Sequence, residues 1–279
     1  MYNTIISSET IGPSIQRIVI EQPEIAQARK PGQFVIVHLS ETGERIPLTL
    51  VDSDPDAGTI TLIVQGIGKS TAELNAMQPG EVVRDIVGPL GHPSEVGYFG
   101  TAVVIGGGVG TGVAFPNAVA LKEAGNHVIA IVGGRSKEFV ILEKELIEAC
   151  DEVYICTDDG SYGYNGFVTG KLQDLIDEGR KLDFVLAIGP LPMMRAVANL
   201  TKPHNIKTMA SLNTIMVDGT GMCGGCRATV GGKTVFTCVD GPEFDGHEVD
   251  FDELMQRLQA YTTEEAASYD KFKCQCQQA

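Results

Sequence analysis

Over roughly the first ninety residues, apolar and polar positions alternate in short runs, each closed by a turn signal. Ser14–Val19, Gln33–Leu39, Thr59–Val64 and Val82–Val87 are predicted as strands, punctuated by Pro31–Gly32, Asp54–Pro55 and Pro79–Gly80. Many short strands with such punctuation predict a small antiparallel β-barrel. The pattern changes near Gly97. Thr101–Ile105 is a continuous apolar strand, His127–Val132, Glu152–Thr157 and Phe184–Ile188 are predicted as further strands, and helical periodicity lies between them at Val113–Ala124, Glu138–Ala149 and Lys171–Asp177. Strands alternating with helices predict a Rossmann-like α/β unit, a parallel sheet covered on both faces. After about Ser211 the regularity falls away; helical patterns return at Phe251–Ala260 and Thr263–Lys271, and a flexible tail is expected over Lys273–Ala279.

The chain has 279 residues, more than one domain usually holds. Three units are expected: a barrel over 1–97, an α/β domain over 98–212 and a small C-terminal domain over 213–279. The formal net charge of −15 argues against a nucleic-acid binder or an anionic-membrane binder, both of which need a basic face. Met1–Thr10 lacks the basic and apolar regions of a signal peptide, and no run approaches the ~18 apolar residues of a membrane span. A cytoplasmic protein is expected.

Seven cysteines change the picture, because three crowd between 223 and 238. In a reducing compartment such a cluster predicts a metal site. Cys223-Gly-Gly-Cys226 can grip one metal centre with two thiolates, glycines let the loop wrap tightly, and Cys238 adds a third sulfur. Asp218 stands five residues before Cys223, where a Cys-x4-Cys-x2-Cys arrangement places its first ligand. A carboxylate binds ferric iron, so Asp218 is the candidate fourth ligand. Cys150, Cys156, Cys274 and Cys276 are alternatives, and structural zinc is allowed by the same donors.

A second motif is Gly106-Gly-Gly-Val-Gly110-Thr111-Gly112, with a strand before it and a helix after it. Glycines remove Cβ obstruction and a helix N-terminus offers N–H donors, which suits a phosphate. Close strand–helix packing is the competing account. No acidic residue ends the next strand; Gly133-Gly134-Arg135 follows it, and Arg135 leaves both NAD(H) and NADP(H) open. Thr157-Asp158-Asp159-Gly160 and Gly189-Pro190-Leu-Pro-Met193 also follow strands, at the edge where open α/β sheets bind ligands.

In this order the segments resemble the ferredoxin–NADP⁺ reductase superfamily across nearly the whole chain. The carrying residues are Arg45-Ile-Pro47-Leu48-Thr49, Gly66-Ile-Gly68-Lys69-Ser70-Thr71, Gly88-Pro-Leu-Gly91, the Gly106–Gly112 turn, Gly189–Met194, Ser211–Asp218 with its cysteine loop, and Asp240–Asp245. Two relatives are most similar: the electron-transfer subunit of dihydroorotate dehydrogenase, and the small subunit of NADH-dependent ferredoxin:NADP⁺ oxidoreductase, also labelled sulfide dehydrogenase beta subunit. The resemblance implies an FAD-binding barrel in which Thr49 approaches the flavin ring, with Pro47 and Leu48 beside it. It implies Arg45 near the pyrophosphate, one residue before the usual position. Gly68, Lys69, Ser70 and Thr71 correspond to a second flavin segment, for which a plain helix cap by Ser70 or Thr71 is the alternative. Gly106, Gly107, Gly108, Gly110, Thr111, Asp158, Gly160, Gly189, Pro190 and Met193 correspond to the nicotinamide side. Ile188 stands where many members have a cysteine. Asp218 with Cys223, Cys226 and Cys238 matches the second relative, whereas the first resembles a four-cysteine site.

The implied function is electron transfer between NAD(H), FAD and a [2Fe–2S] cluster. NADH gives two electrons, a two-iron cluster takes one at a time, and a flavin handles both. The implied partner is a larger FAD- and [4Fe–4S]-containing subunit that handles NADP(H) and ferredoxin in electron bifurcation. A dihydroorotate dehydrogenase partner is the near alternative, and a zinc-stabilised nucleotide-binding module the alternative of another class.

Overall fold

The computed structural model describes residues 2–276. The first part contains β1 (Ile5–Gly12), β2 (Ile15–Glu21), α1 (Pro23–Ala28), β3 (Phe34–His38), β4 (Arg45–Thr49), β5 (Asp52–Asp54), β6 (Thr59–Gln65), α2 (Lys69–Ala76) and β7 (Asp85–Leu90). The strands form two antiparallel sheets, β1-β2-β6-β5 and β4-β3-β7. Alternate residues of both sheets (Ile18 and Ile20, Val35 and Val37, Ile60, Leu62 and Val64) point into one shared core, as expected for a barrel. Burial of each such side chain contributes roughly 1.5–3 kcal/mol.

The alternation in the sequence predicts four of these strands and misses three for physical reasons. β1 is a polar run whose middle is largely exposed, β4 is half-buried at every position, and β5 is Asp-Ser-Asp. None of them carries the one-sided apolar pattern on which a strand prediction rests. The strand expected over Val82–Val87 lies further on, at β7.

The second part contains β8 (Thr101–Gly107), α3 (Gly110–Glu123), β9 (His127–Gly134), α4 (Glu143–Ala149), β10 (Glu152–Thr157), β11 (Tyr164–Asn165), α5 (Val168–Asp177), β12 (Phe184–Ile188), α6 (Leu191–Thr201) and β13 (Lys207–Ser211). The helix expected over Glu138–Ala149 is shortened to α4, because Val140 is extended and Leu142 is left-handed at φ 58°. Beyond Ser211 come β14 (Arg227–Val230), β15 (Lys233–Phe236), α7 (Thr237–Asp240), β16 (Glu243–Asp245), α8 (Phe251–Leu258) and α9 (Thr262–Cys276). The tail expected to be flexible is therefore helical from Lys273 to Cys276; residues 277–279 lie outside the described residues.

The large sheet has the order β11-β10-β9-β8-β12-β13-β16, parallel except for β16, which runs antiparallel to β13. Both faces are covered. Val103, Ile105, Ile129 and Ile131 pack under α5, α6 and α8, while Ala102, Val104, Val128 and Ala130 pack under α3 and α4. This two-sided burial explains the continuous apolar strands. The chain winds outward from β8 through β9 and β10, then returns to the other side of β8 at β12. That reversal opens a crevice between the carboxyl ends of β8 and β12, where ligands of open α/β sheets bind.

At the opposite end of the sheet, Glu152 gathers Arg180, the Tyr154 hydroxyl at 2.7 Å and His127 Nε2 at 2.8 Å. Hydrogen bonding from Arg180 outweighs partial burial and holds the carboxyl down at about 2. A depressed carboxyl contributes stability above its unfolded value and loses it as pH falls through the folded one. Glu152→Gln should cost about 1–2 kcal/mol at pH 7, after discounting for solvent around a partly exposed group. Urea titrations should show the gap between the variant and the parent narrowing steadily below pH 4. A gap that does not change with pH would contradict the ion-pair account.

Candidate functional site

One cleft of about 1040 Å³ occupies the crevice and extends over the barrel. It is slightly larger than the roughly 300–1,000 Å³ of ordinary ligand pockets. Pro47, Leu48, Thr49 and Thr71 line it from the barrel; Gly107, Gly108, Gly110, Asp158, Gly189, Pro190 and Met193 line it from the sheet. The segments expected to hold flavin and nucleotide therefore share one space. Arg135 also lines it, at the end of β9.

The other expected ligand residues lie outside the lining, each for a visible reason. Arg45 is turned away: its Nε donates to the Val217 carbonyl at 2.8 Å, tying β4 to the loop that carries Asp218. The Ser70 hydroxyl is buried and donates to Glu44 at 2.6 Å. Gly68 is the residue that precedes α2, and its N–H donates to the Thr71 hydroxyl at 3.1 Å, so Thr71 closes the first turn from inside the helix. Lys69 opens α2 beside it. Gly106 and Thr111 pack against each other: a Cβ on Gly106 would lie 2.8 Å from the Thr111 Cα, and Thr111 is buried. At Gly160, φ is +71° and the chain turns against Asn165. For Gly106 and Thr111, strand–helix packing is the account that holds.

α3 begins three residues before the predicted start, so Gly110, Thr111 and Gly112 form its first turn. Gly108 precedes it at φ +57° with open space where a side chain would stand. A half-buried, left-handed backbone with open space above it and next to a helix N-terminus fits close approach by a phosphate. On the far side of α3, a Cβ on Gly112 would lie 3.1 Å from Ile63 of β6. The helix is thus seated directly on the barrel.

The cysteine loop closes the third wall. Cys226 and Cys238 are buried with their sulfurs 3.2 Å apart, packed with Phe34, Ile36 and Met216. Burial, reinforced by Cys226, pushes the Cys238 thiol up to about 12. Cys223 is exposed, and the Gly225 N–H, 3.5 Å from its sulfur, draws its thiol down. Asp218 Oδ2 accepts from the Thr220 N–H at 2.9 Å, the Thr220 hydroxyl at 2.5 Å and the Met222 N–H at 3.2 Å. These bonds, with Thr220 the largest contributor, hold the carboxylate below its usual range. All three fall on one oxygen.

The alternative cysteine ligands sit elsewhere. Cys156 belongs to the core on one face of the large sheet and Cys150 packs against the other, both pushed up to about 11 by burial. Cys274 is exposed on α9; the Cys276 side chain lies outside the described residues. Among the described residues, no group of three or more His, Cys, Asp or Glu side chains is placed to hold a metal ion as they stand. The donor set, three thiols and a carboxylate, supplies the four ligands that a two-iron centre takes. Cys223 and Asp218 on the loop, with the buried Cys226 at its end and Cys238 on α7, are donors of the kind that ferric iron takes.

Phe34 and Met216 were not anticipated as site residues. They line the cleft and also pack in the core that holds Cys226 and Cys238. Cleft and thiols thus share one wall. No local signal marks these two residues, since each reads as an ordinary core position.

The comparisons agree with this geometry. Residues 213–250 match the iron–sulfur cluster binding domain of dihydroorotate dehydrogenase B. The chain is 44% identical to a Thermotoga maritima protein described as a dihydroorotate dehydrogenase B (NAD(+)) electron transfer subunit homolog, over 97% of this chain and 95% of that one. It is 34% identical to the electron transfer subunit of dihydroorotate dehydrogenase B (NAD(+)) from Geobacillus thermodenitrificans, over 88% and 96%. A solved chain from the NADH-dependent reduced ferredoxin-NADP oxidoreductase, a structure described for flavin-based electron bifurcation, superposes with a TM-score of 0.92 at 43% identity, covering 98% of each chain. With an undivided cleft between barrel and sheet, a thiol loop on its wall and relatives matching from end to end, this chain belongs to the family of dihydroorotate dehydrogenase B electron-transfer subunits.

Proposed function

We propose that this chain is the electron-transfer subunit of an NADH-dependent ferredoxin:NADP⁺ oxidoreductase complex of the bifurcating kind, passing electrons between NAD(H), FAD and a [2Fe–2S] cluster. The observation that carries it is the common wall: Phe34 and Met216 face the cleft on one side and the buried thiols on the other. When bound, FAD supplies conversion of an electron pair into single electrons. The chain's own residues bind and orient. Pro47, Leu48 and Thr49 form the barrel wall for the flavin and Thr71 with the start of α2 its phosphate side. Gly107, Gly108 and Gly110 line the cleft where the nucleotide would lie, with open space above Gly108 for its close approach, and Gly189, Pro190 and Met193 shape the nicotinamide end. Asp218, Cys223, Cys226 and Cys238 are the proposed cluster ligands, and Asp218 favours this complex over a dihydroorotate dehydrogenase.

Residues 1–97, 98–212 and 213–279 are the proposed flavin, nucleotide and cluster units. The third is not independent in space, since β16 extends the sheet of the second. NAD(H) is the proposed nucleotide, because among the described residues Arg135 is the one cation on the cleft lining, with no second one there for a 2′-phosphate. The relatives are subunits, so a larger partner is part of the reading. Its proposed form carries FAD and [4Fe–4S] clusters and handles NADP(H) and ferredoxin, with exposed Met222 and Val217 beside Cys223 as the contact face. No helix among the described residues is long and apolar enough to cross a membrane, and a cytoplasmic location is proposed.

The names of the curated relatives favour a second reading, the dihydroorotate dehydrogenase partner. Anaerobic reconstitution with each type of large subunit separates the two. NADP⁺ reduction that needs NADH and reduced ferredoxin together supports the first. NAD⁺ reduction by dihydroorotate would replace it with the second, and a preparation that holds neither flavin nor iron would remove both.

A further inference from the structure

Two arginines meet the cysteine loop from behind. Arg227 Nη1 donates to the Gly224 carbonyl at 2.7 Å, and Arg257 Nη2 donates to the Gly225 carbonyl at 3.3 Å. These are the two glycines between Cys223 and Cys226. Arg227 and Arg257 both line a second cavity, of about 400 Å³, together with Gly225 of the loop. The chain has 21 Lys and Arg against 36 Asp and Glu, so cations are scarce. Arg17, Arg84, Arg180 and Arg195 are each paired with a carboxylate. Arg227 and Arg257 form no ion pair among the described residues, and their partners are main-chain carbonyls.

The geometry has a consequence for the sulfurs. A trans peptide sets its C=O and its N–H on opposite sides. The Gly224 carbonyl belongs to the same peptide as the Gly225 N–H, which points at Cys223 Sγ at 3.5 Å. By anchoring that carbonyl, Arg227 aims the N–H at the thiolate. Arg257 fixes the next peptide in the same way, turning the Cys226 N–H away from Arg257. Hydrogen bonds to cluster sulfurs and nearby positive charge both favour the reduced form, which carries one more negative charge.

We propose that Arg227 and Arg257 are positioning residues that set the reduction potential of the cluster through the Gly224 and Gly225 peptides. This rests on the reading that the loop holds a two-iron cluster. Reduction adds one electron, delivered from the flavin, and forms or breaks no bond; the arginines stabilise its product.

The test is an EPR-monitored redox titration of the full-length, anaerobically purified protein and its variants. Arg227→Ala and Arg257→Ala should each make the cluster about tenfold harder to reduce, a midpoint about 59 mV more negative for one electron. Arg257→Lys should recover most of that shift, which a purely structural role would not produce. If the Ala variants fail to assemble, the Gln variants, which keep a donor and lose the charge, are titrated instead. A more negative midpoint supports the proposal, and a fully loaded cluster with the parental midpoint overturns it. A parental protein with flavin but without iron and acid-labile sulfide overturns the cluster reading itself, so the two failures are distinguishable.

Discussion

Cys238→Ala should lose its iron and acid-labile sulfide, down to background, while retaining flavin. Cys238 lies on the short α7, and its sulfur faces Cys226 across 3.2 Å inside a core shared with Phe34, Ile36 and Met216. Among the described residues no other thiol outside the loop is placed to replace it: Cys150 and Cys156 are committed to the two faces of the large sheet, and Cys274 is on α9. Removing one buried sulfur costs the fold only about 1–2 kcal/mol, because the side chain is small. Removing one of the four proposed donors should cost the metal site far more, since metal binding is itself folding free energy for such loops. Cys274→Ala is the control and should keep full iron. Colorimetric iron and sulfide, with EPR of the dithionite-reduced protein, measure the outcome. Full iron content in the Cys238 variant would exclude it as a ligand.

Gly110→Val should abolish nucleotide-dependent flavin reduction, or destabilise the protein by about 3 kcal/mol or more. A Cβ at Gly110 would stand 2.6 Å from the Ile188 carbonyl oxygen and 3.0 Å from the Gly189 Cα. Those are main-chain atoms of β12 and its turn, which cannot rotate aside. Overpacking of this kind forces α3 away from β12 and reshapes the crevice between them. Gly108→Asn makes the instructive contrast. Its φ of +57° is one that Asn tolerates, and the space beyond it is open, so the strain is limited to about 1 kcal/mol. The Asn side chain instead fills the space proposed for a phosphate, so KM for NADH should rise at least tenfold while denaturant midpoints move little. Stopped-flow flavin reduction and urea unfolding separate the two behaviours. Equal effects of the two substitutions on stability would refute the steric account.

Much of this site was legible before any coordinates. The continuous apolar runs at Thr101–Ile105, His127–Val132 and Phe184–Ile188 announce strands buried on both faces, because only such strands can be apolar at every position. The Cys223-Gly-Gly-Cys226 spacing identifies a metal loop because ligand geometry is local. The glycine run after β8 identifies a turn beside a helix start, although it does not say which glycines face a ligand and which face a neighbouring element. Gly108 faces the cleft and Gly106 faces Thr111, and the sequence writes both as the same letter.

Local pattern therefore determined the two sheet types, the cleft edge and the thiol loop, since periodicity, turn freedom and ligand spacing act over a few residues. Tertiary packing alone decided that Arg45 reaches Val217, that β16 joins β13, that Gly112 seats α3 on Ile63 and that Arg257 reaches Gly225. These contacts join segments far apart in the chain. Complementary shape and the need to satisfy buried polar groups select them, and neither quantity exists until the segments meet.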